Sequence, residues 1–402
     1  MKQYNMNKTK QILKMTNIEL SKSLDQLKVS KIQQALKATS NTDIISFCLG
    51  MPSTDLLPLD KYQKALNQMS NRSYLQYSSP SRNLKAQIVE LMKTRFINCT
   101  SDQIVLTSGA QQAMALIVRL LANKDDDIIV DEATYPGFIQ IAQSFGVNLV
   151  SMTNNSTSEL EKYCTTITKK PKLIYTMSEG HNPCGTSINQ QSRINLINFS
   201  EMYNIPILED DAYGFLSYDD VAEYPLKYYA NDLVFYVGSF SKILSPSVRV
   251  GWIIAPEYLI DKLEILKETS DINTATLSQH IVSSYLDTKD FDNHLELIRK
   301  SYKAKRDTMI NALKTYLPEV EFTTPKSGFF IWCKLPEAVD ADVLFQNSIE
   351  AFNVSFLPGS AFSTSTDHNL KHYVRLSFAF CDISLIEEGI KRLSLAVQRV
   401  GM

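Results

Sequence analysis

Residues 238–251 read GSFSKILSPSVRVG and directly follow the apolar run at 234–237, VFYV. A short run of β-branched and aromatic residues predicts a buried strand. Lys242 therefore stands just past a strand, where its amine is less hydrated than on an exposed helix. Lower hydration reduces the pKa of an amine and favours imine chemistry, and the serines and the arginine around it could hold a phosphate. Taken alone, the segment would still be read as an ordinary loop that contains a lysine.

Similar apolar runs lie on both sides of this segment and alternate with helical stretches. The runs lie at 104–106, 128–130, 173–175, 205–208, 234–237 and 252–254. Short buried strands separated by helices predict an α/β fold with a mainly parallel sheet. Catalytic groups in such sheets gather at the carboxyl ends of the strands, and here acidic and serine-rich segments directly follow the apolar runs.

The pattern changes after about residue 270. A long helix is predicted from 291 to 316, followed by strands near 328–333, 354–356 and 374–378. A last helix is expected to bury one face. The residues that line this face are Leu385, Ile386, Leu393 and Val397. We expect this region to form a second, smaller α+β unit.

These patterns divide the chain into three parts. Residues 1–54 are predicted to form an N-terminal arm and part of the small domain, residues 55–285 the large domain, and residues 286–402 the rest of the small domain. The polar residues before about 41 predict a mobile start followed by a helix near 20–36.

Composition disfavours several classes of protein. The chain has 41 Lys and Arg against 43 Asp and Glu, and a net charge of -2 gives no attraction for nucleic acid or an anionic membrane. The six cysteines are scattered without a C-x-x-C pair, which fits a reduced cytoplasmic protein without a zinc site. Residues 1–14 lack the apolar core of a signal peptide, and no apolar run reaches membrane-spanning length. We therefore expect a cytoplasmic protein that binds no metal, nucleic acid or membrane.

Three other segments carry polar groups at predicted strand ends or turns. Residues 209–213, EDDAY, follow a strand, and a carboxylate there can pair with the protonated ring nitrogen of a cofactor. Residues 107–113, TSGAQQA, open an apolar helix, whose free N–H groups and dipole favour a phosphate. Residues 182–185, NPCG, predict a tight turn. Each segment alone is also typical of an ordinary turn.

Together, in this order and spacing, the segments resemble the class I/II aminotransferases, which are pyridoxal-phosphate enzymes of fold type I. The resemblance extends from about Ile45 to the end of the chain. Its most specific part is S-x-S-K at 239–242, followed by an arginine seven residues after the lysine. Residues 75–78, LQYS, and 108–112, SGAQQ, favour the branch with aminoadipate, kynurenine and branched-chain aminotransferases. The resemblance implies a large cofactor-binding domain with a mainly parallel sheet, a smaller α+β domain and a homodimer with shared active sites.

The resemblance also implies catalytic roles. Lys242 would form the internal aldimine with pyridoxal 5′-phosphate and later move the proton between substrate and cofactor. Asp210 would pair with the pyridine nitrogen, and Tyr213 and Asn182 would hydrogen-bond the phenolic oxygen. The reaction implied is the transfer of an amino group from an L-amino acid to a 2-oxo acid.

The remaining implied roles concern binding. Arg375 would clamp the substrate carboxylate, with Gly50 and Asn182 beside it. Tyr135 would stack on the cofactor ring, and Tyr77 would reach the phosphate of the neighbouring subunit. The phosphate would be bound by Ser108, Gly109, Ala110, Gln111, Ser239, Ser241 and Arg249.

Two segments depart from the pattern of the family. Residues 178–185 read SEGHNPCG where many relatives have P-N-x-x-N-P-T-G. His181 and Glu179 therefore either face the active site or reflect drift in a turn. After Tyr77 the glycine-containing turn of the family is shortened to SPSRNLK at 79–85.

The substrate is weakly specified. The first arginine of the chain is Arg72, whereas in the aminoadipate-like branch an N-terminal arginine can meet a second substrate carboxylate. This difference disfavours a dedicated pocket for a dicarboxylate side chain. Met51, Tyr77, Phe329 and Phe362 suggest a partly apolar pocket, although each is equally typical of a core.

Three alternatives stay open at this point. The same cofactor site would serve an amino-acid oxidase or lyase, which the sequence does not distinguish from a transaminase. A transcriptional regulator with an aminotransferase-like domain would carry an upstream winged-helix module, and the roughly 45 residues before Ile45 are too few for it. A catalytically inactive paralogue is disfavoured because the lysine, the aspartate and both arginines named above are present.

Overall fold

The computed structural model describes most of the chain from residue 43 onward. The described residues are 21, 43–69, 72–152, 161, 164–165, 169–219, 223–230, 232–288, 290–364 and 369–401. The helix predicted near 20–36 and the mobile start before it lie outside these residues, apart from Ser21. Within the described ranges, no helix combines the length and the apolar character that crossing a membrane requires.

The strands of the described residues form three sheets. In chain order they are β1 (Ile45–Ser46), β2 (Ile104–Thr107), β3 (Asp127–Asp131), β4 (Asn148–Met152), β5 (Leu173–Thr176), β6 (Ile207–Asp210), β7 (Val234–Ser239), β8 (Gly251–Ile254), β9 (Glu321–Phe322), β10 (Phe330–Lys334), β11 (Val354–Ser355), β12 (Leu357–Pro358) and β13 (Tyr373–Ser377). The largest sheet has the order β2-β8-β7-β6-β5-β3-β4. Its neighbours from β7 to β4 run parallel, whereas β8 is antiparallel to β2 and β7. The predicted α/β class with a mainly parallel sheet is confirmed.

Helices connect the parallel strands, as crossovers between parallel neighbours require. In chain order the α-helices are α1 (Leu59–Asn67), α2 (Arg82–Lys93), α3 (Ala110–Leu121), α4 (Pro136–Phe145), α5 (Gln190–Tyr203), α6 (Leu226–Tyr229), α7 (Ile260–Asp271), α8 (Thr276–Leu286), α9 (Asp290–Tyr316), α10 (Ala341–Phe352) and α11 (Ile383–Gly401). Helix α4 joins β3 to β4, and α5 joins β5 to β6. Each crossover therefore returns the chain to the same edge of the sheet before the next strand begins.

The start of α2 shows how local sequence sets a helix boundary. The Ser81 hydroxyl accepts a hydrogen bond from the Leu84 N–H at 3.2 Å, which satisfies a donor that the first turn leaves without a helical partner. Leu84, Ile88 and Leu91 then recur at helical spacing and are buried in the core. Removing the Ser81 hydroxyl is expected to lower the free energy of unfolding by about 1 kcal/mol.

A second, smaller α+β unit follows the large sheet, as predicted. Its sheet has the order β12-β13-β10-β9 with antiparallel neighbours. Strand β1, from the beginning of the described chain, pairs in parallel with β11. The chain before β2 therefore contributes to the same region as the C-terminal residues.

One prediction for α11 was wrong. Ile386, Leu393 and Val397 are buried as expected, but Leu385 is 45% exposed. The buried stripe runs through Ile390 instead. Consecutive residues of a helix differ in direction by about 100°, so Leu385 is turned away from the face that Ile386 buries.

Candidate active site

A cavity of about 300 Å³ lies where the carboxyl ends of β6 and β7 face the first turn of α3 and the strands β10 and β13. Open sheets of this kind bind ligands at the carboxyl ends of their strands. Most of the site residues predicted from the sequence meet here. Those that line the cavity are Gly50, Ala110, Gln111, Tyr135, Asn182, Asp210, Tyr213, Ser239, Ser241, Lys242, Arg249 and Arg375.

Lys242 projects into the cavity from the turn after β7. Its Nζ donates a hydrogen bond to the Gly50 carbonyl oxygen at 2.7 Å. Burial, and then repulsion by Arg375 and Arg249, lowers the pKa of this amine to about 8. Because the neutral amine is the nucleophile in imine formation, Lys242 has a far larger reactive fraction near neutral pH than an exposed lysine.

Asp210, the last residue of β6, presents a carboxylate with one free oxygen. Oδ2 accepts a hydrogen bond from the Tyr175 hydroxyl at 3.1 Å, while Oδ1 is buried and has no partner among the residues that the structure describes. Burial raises the pKa of Asp210 to about 6, since the Tyr175 hydrogen bond lowers it less and the like charge of Asp211 raises it further. Buried polar atoms are rarely left unpaired, so this oxygen is suited to a donor from a bound ligand.

Anion-binding groups surround the first turn of α3. Arg249 donates from Nη2 to the Ser108 carbonyl oxygen at 2.9 Å and from Nη1 to Ser241 Oγ at 3.4 Å. The Ser239 hydroxyl donates to Ser241 Oγ at 2.9 Å. Gly109 has a φ of +85°, and a Cβ there would collide with the guanidinium of Arg249. Free helix N–H groups, an arginine and two serines together form a site for a phosphate.

Arg375 enters the cavity from β13 and is buried. Nη1 donates to Asn182 Oδ1 at 2.8 Å, and Nη2 donates to the Cys48 carbonyl oxygen. The rings of Phe330 and Phe362 flank the guanidinium, with centroids 4.1 and 5.0 Å from Cζ. Burial lowers the pKa of Arg375 to about 10, and within the described part of the chain Nε has no hydrogen-bond partner. A buried guanidinium with an unused donor is suited to a substrate carboxylate.

Two tyrosines complete the walls. Tyr135 lies just before α4, and its hydroxyl donates to Gln111 Oε1 at 3.4 Å. Tyr213 packs edge-on against Phe330 with ring centroids 5.7 Å apart. The Tyr213 carbonyl oxygen accepts a hydrogen bond from the Ser327 hydroxyl at 2.9 Å. The segment that carries Tyr213 is therefore fixed by the chain that leads into β10.

The family model described as Aminotransferase class I and II matches residues 42–393. Aromatic-amino-acid aminotransferase 1 of Thermococcus litoralis is 34% identical over 392 residues, which cover 92% of each chain. The chain belongs to the class I and II aminotransferases. A crystal structure of Pyrococcus horikoshii kynurenine aminotransferase in complex with PMP matches this aminotransferase with a TM-score of 0.89 and 31% identity, covering 94% of this chain and 97% of that one. The HTH-type transcriptional regulator YdfD of Bacillus subtilis is 29% identical, over 92% of this chain and 77% of the regulator.

The predicted family, the fold type I architecture and the assignment as an enzyme are thereby confirmed. The aminotransferase depends on pyridoxal phosphate and exchanges an amino group between amino acids and 2-oxo acids, as its family does. The oxidase, lyase and regulator alternatives are not favoured by these comparisons.

The residues around the cavity fit pyridoxal phosphate. The buried Asp210 Oδ1 finds no donor in the described ranges, and the protonated ring nitrogen of the cofactor would supply one. Arg249 and the first turn of α3 offer the phosphate site described above, and the amine of Lys242 lies in the same cavity.

Three predicted site residues do not line the cavity. The Ser108 hydroxyl donates to Asp271 Oδ2 at 2.6 Å, so only the Ser108 carbonyl oxygen serves the site, through Arg249. Gly109 contributes its backbone beneath Arg249. Tyr77 is 79% exposed, and its contact with the phosphate of a neighbouring subunit stays a prediction.

Sequence reasoning missed two functional side chains. Tyr175 lies inside the apolar strand β5, where a tyrosine is typical of a core, yet it orients Asp210. Both Phe329 and Phe330 are buried, but only Phe330 lines the cavity, whereas the sequence suggested Phe329. Because successive strand residues point to opposite faces, only one of these two phenylalanines can face the site, and the pairing of β10 with β13 selects Phe330.

The two unusual residues of 178–185 lie beside the cavity and do not line it. Glu179 forms a buried ion pair with Arg193 at 3.0 Å. His181 is paired through Nε2 with Asp131 at 3.3 Å. Glu179 therefore supports the turn that carries Asn182, and His181 accepts a hydrogen bond at Nδ1 from the Cys184 backbone N–H at 3.3 Å.

Proposed function

We propose that Lys242 and Asp210 hold the cofactor in this cavity and that Lys242 is the group that moves the proton during transamination. The observation that carries the proposal is that Asp210 Oδ1, buried and without a partner among the described residues, shares a cavity with an amine whose pKa is lowered to about 8. Perturbed acids and bases that meet in one cleft are typical of active sites.

Each residue then has a physical task. When bound, pyridoxal phosphate withdraws electrons from the substrate α-carbon and so acidifies its C–H bond. Asp210 holds a proton at the ring nitrogen, and Arg249 with the first turn of α3 holds the phosphate. Arg375 binds the substrate carboxylate and thereby turns the α C–H bond toward Lys242. With the cofactor bound, the Lys242 amine would accept the proton from the substrate α-carbon and would hold it for return.

Lys242→Ala tests these roles. The variant should lose the visible absorbance of bound cofactor, and turnover should fall by about 10² to 10⁴-fold because the general base is gone. Lys300→Ala is the matched control, because Lys300 is exposed on α9 and forms an exposed ion pair with Glu296. A Lys242→Ala protein that keeps both absorbance and turnover would contradict the proposal.

We also propose that the amino donor carries a large apolar or aromatic side chain. The cations that line the cavity are Lys242, Arg249 and Arg375. In the proposed mechanism they serve proton transfer, the cofactor phosphate and the substrate α-carboxylate, in that order. No further cationic side chain among the described residues lines it to meet a second carboxylate. The apolar lining residues are Cys48, Leu49, Met51, Ala110, Met114, Met177, Ala212, Pro246 and Phe330. Two of the similar proteins are named for aromatic amino acids and for kynurenine, which supports a donor with a large apolar or aromatic side chain.

A donor screen tests the substrate class. Phenylalanine, tyrosine, kynurenine, leucine, aspartate and 2-aminoadipate should be compared with 2-oxoglutarate and with pyruvate as acceptor. The aromatic and large apolar donors should give the highest kcat/KM. If aspartate or 2-aminoadipate is fastest, the apolar pocket is the wrong assignment, whereas the roles of Lys242 and Asp210 are unaffected.

We propose a homodimer in which Tyr77 completes the active site of the neighbouring subunit. Leu75 and Tyr77, two residues apart, are both exposed, which is unfavourable for apolar side chains unless another surface covers them. Light scattering should give twice the mass of one chain, and Tyr77→Ala should weaken cofactor binding more than Tyr258→Ala, which changes another exposed tyrosine. A fully active monomer would exclude the shared site.

The remaining proposals concern organisation and location. The large sheet lies wholly within the proposed large domain, 55–285, and the four-stranded sheet within the proposed small domain, 286–402. Limited proteolysis should cut the connection between α8 and α9, just after Leu286, before it cuts either sheet. All six cysteines are free, which supports a cytoplasmic location, and cell fractionation tests it.

A further inference from the structure

Lys305 of α9 is a buried lysine that no transamination step assigned above uses. It is 5% exposed, and a lysine is rarely buried unless the protein supplies partners for its charge. Its Nζ donates to the Ser53 hydroxyl oxygen at 2.6 Å and to the Ala379 carbonyl oxygen at 3.0 Å. The Ser53 hydroxyl in turn donates to Asp55 Oδ1 at 2.5 Å. Lys305 therefore joins α9 to two other segments, one that precedes α1 and one that follows β13.

Ser53 is held through its backbone as well as through its side chain. Its N–H donates to the Tyr302 hydroxyl oxygen at 3.2 Å. Tyr302 lies three residues before Lys305 on α9, and residues three apart lie on the same face of a helix. The Tyr302 ring is buried and packs against Phe329, with ring centroids 4.7 Å apart. One buried face of α9 therefore fixes both the N–H and the hydroxyl of Ser53.

Ser53 lies at the end of a short stretch of chain that forms one wall of the active-site cavity. Residues 49–51 line the cavity, and we call them the wall segment. Before the wall segment, the Phe47 N–H donates to the Ser355 carbonyl oxygen at 2.8 Å, which joins the chain to β11. The wall segment is therefore held between two fixed points, β11 on one side and the contacts of Ser53 with α9 on the other.

This part of the chain contacts two groups that the proposed reaction uses. The Gly50 carbonyl oxygen accepts the hydrogen bond from Lys242 Nζ at 2.7 Å. The Cys48 carbonyl oxygen, directly before the wall segment, accepts a hydrogen bond from Arg375 Nη2. An acceptor for one hydrogen of the amine fixes the direction of its lone pair, and an acceptor for one N–H of the guanidinium fixes the orientation of that plane. A displaced wall segment would therefore misalign the proton-transfer group and the carboxylate-binding group together.

We propose that Lys305 and Ser53 are positioning residues, which hold the wall segment against Lys242 and Arg375 and so set how the amino donor is bound and oriented. The effect on the donor rests on the proposed function, whereas the hold on the wall segment does not. Neither Lys305 nor Ser53 lines the cavity, so each acts through the wall segment. Misplacement of reacting groups by about 1 Å can cost on the order of 10²-fold in rate, so a contact outside the cavity can control the reaction inside it.

The groups proposed for the ring and the phosphate of the cofactor lie on other elements. Asp210 ends β6, and Arg249 donates to the Ser108 carbonyl oxygen just before α3. Lys305 and Ser53 instead join α9 to the end of β13 and to the wall segment. Loss of their contacts is therefore expected to affect the amino donor far more than the cofactor.

Amide hydrogen exchange of the apo-protein tests the hold on the wall segment without cofactor or substrate. In Lys305→Met, the peptide that covers residues 47–53 should exchange on the order of 10-fold faster than in wild type, because a local set of buried hydrogen bonds is lost. Peptides from β6 should exchange at the wild-type rate, which shows that the variant is folded. Equal exchange of residues 47–53 in the variant and in wild type would overturn the proposal.

Two further variants make this measurement specific. Lys300→Met is the matched control, because Lys300 lies on the same helix but its side chain is 74% exposed. Its exchange over residues 47–53 should equal that of wild type. Ser53→Ala removes a single oxygen and should speed exchange of the same peptide, so the test does not depend on the folding of Lys305→Met. Faster exchange in the Lys300→Met control, or unchanged exchange in Ser53→Ala, would contradict the assigned contacts.

Steady-state kinetics of the holoenzyme test the consequence for the donor. Lys305→Met and Ser53→Ala should each lower kcat/KM for the amino donor by about 10- to 100-fold, with KM raised about 10-fold. The dissociation constant of the cofactor should stay within about threefold of wild type, since its phosphate and ring sites are untouched. A purely structural role would reduce the fraction of active enzyme and so lower kcat at constant KM. An unchanged KM in both variants would therefore overturn the positioning role.

A double-variant cycle shows whether Lys305 and Ser53 act as a pair. Both single variants break the same hydrogen bond, so Lys305→Met/Ser53→Ala should lose about as much kcat/KM as the more damaging single variant. Losses that multiply would mean that the two side chains act independently, which contradicts the proposal. If wild type itself transfers no amino group, the proposed function fails, and the exchange measurement still decides whether Lys305 and Ser53 hold the wall segment.

Discussion

Asp210 and its two acidic neighbours, Glu209 and Asp211, lie on one strand end but in opposite environments. Successive residues of a strand point to opposite faces. Asp210 lines the cavity, and its Oδ1 has no partner among the described residues. Glu209 and Asp211 are as deeply buried, and Asp211 Oδ1 also has no partner within the described ranges, yet neither residue lines the cavity. The comparison shows that neither burial nor an unpaired oxygen alone marks a functional carboxylate, because the oxygen must also face a space that a ligand can enter.

We call the cavity side of this strand end, which carries Asp210, the near face, and the side that carries Glu209 and Asp211 the far face. The carboxylates of the far face have several hydrogen-bond partners. Glu209 accepts hydrogen bonds from the Ser178 hydroxyl at 2.5 Å and from the Leu226 N–H at 2.7 Å. Asp211 accepts from Arg95 Nη2 at 3.1 Å and from the Tyr236 hydroxyl at 2.7 Å. These charges anchor the segment that carries Asp210. The far face is therefore expected to control stability, and the near face is expected to control activity.

Arg95→Met should have the largest effect on stability. It leaves Asp211 buried without its cation, which costs about 3 to 5 kcal/mol, and urea denaturation measures the loss. The double variant Arg95→Met/Asp211→Asn should recover much of it, because removing both charges is far less costly than removing one. Lys300→Met, which breaks an exposed ion pair with Glu296, should leave the denaturation midpoint unchanged. A similar midpoint shift for Arg95→Met and Lys300→Met would contradict the difference between the faces.

Asp210→Asn should have the opposite signature. Turnover should fall by about 10² to 10³-fold, equivalent to about 2.7 to 4 kcal/mol of transition-state stabilisation, because a preorganised charge is lost. The urea midpoint of the apo-protein should not fall, since the substitution removes a buried charge with an unpaired oxygen. Steady-state kinetics and denaturation of the same preparation separate the two effects. A destabilised Asp210→Asn protein with normal turnover would place Asp210 on the structural side of the comparison.

The near face could be predicted from the sequence, and the far face could not. The run EDD at 209–211 follows an apolar strand, and the family pattern singles out Asp210. Nothing local indicates that Arg95, at the end of α2, reaches Asp211, since 116 residues separate them. Tyr175 was missed for the related reason that a tyrosine in an apolar strand is typical of a core. Strand β4 was missed because its residues are mostly part-exposed and form the edge of the sheet.

Glu209→Gln should have a smaller effect than Arg95→Met and in the same direction. Oε2 of Glu209 accepts the Lys227 N–H at 2.9 Å, and the amide of glutamine can satisfy only one of the two N–H donors of α6. The variant should lose about 1 to 3 kcal/mol of stability, the cost of one unsatisfied buried donor. Turnover per folded molecule should stay within about twofold of wild type, because Glu209 does not line the cavity. A large loss of turnover at unchanged stability would mean that the far face also acts on the reaction.

The smallest expected effect is the pH dependence that Asp210 gives to the apo-protein. Burial raises the pKa of Asp210 to about 6 from 3.8, so the folded state binds more protons than the unfolded state between these values. Stability therefore falls as the pH rises through this window, and the full penalty is present above pH 6. Asp210→Asn lacks this proton, so wild type should lose about 1 kcal/mol relative to the variant between pH 5 and pH 6. Parallel denaturation series at the two pH values measure the difference. The same pair of measurements on Glu209→Gln shows whether the pH dependence comes from Asp210 alone. If wild type instead gains stability relative to Asp210→Asn between pH 5 and pH 6, the pKa of Asp210 is not raised in the folded state.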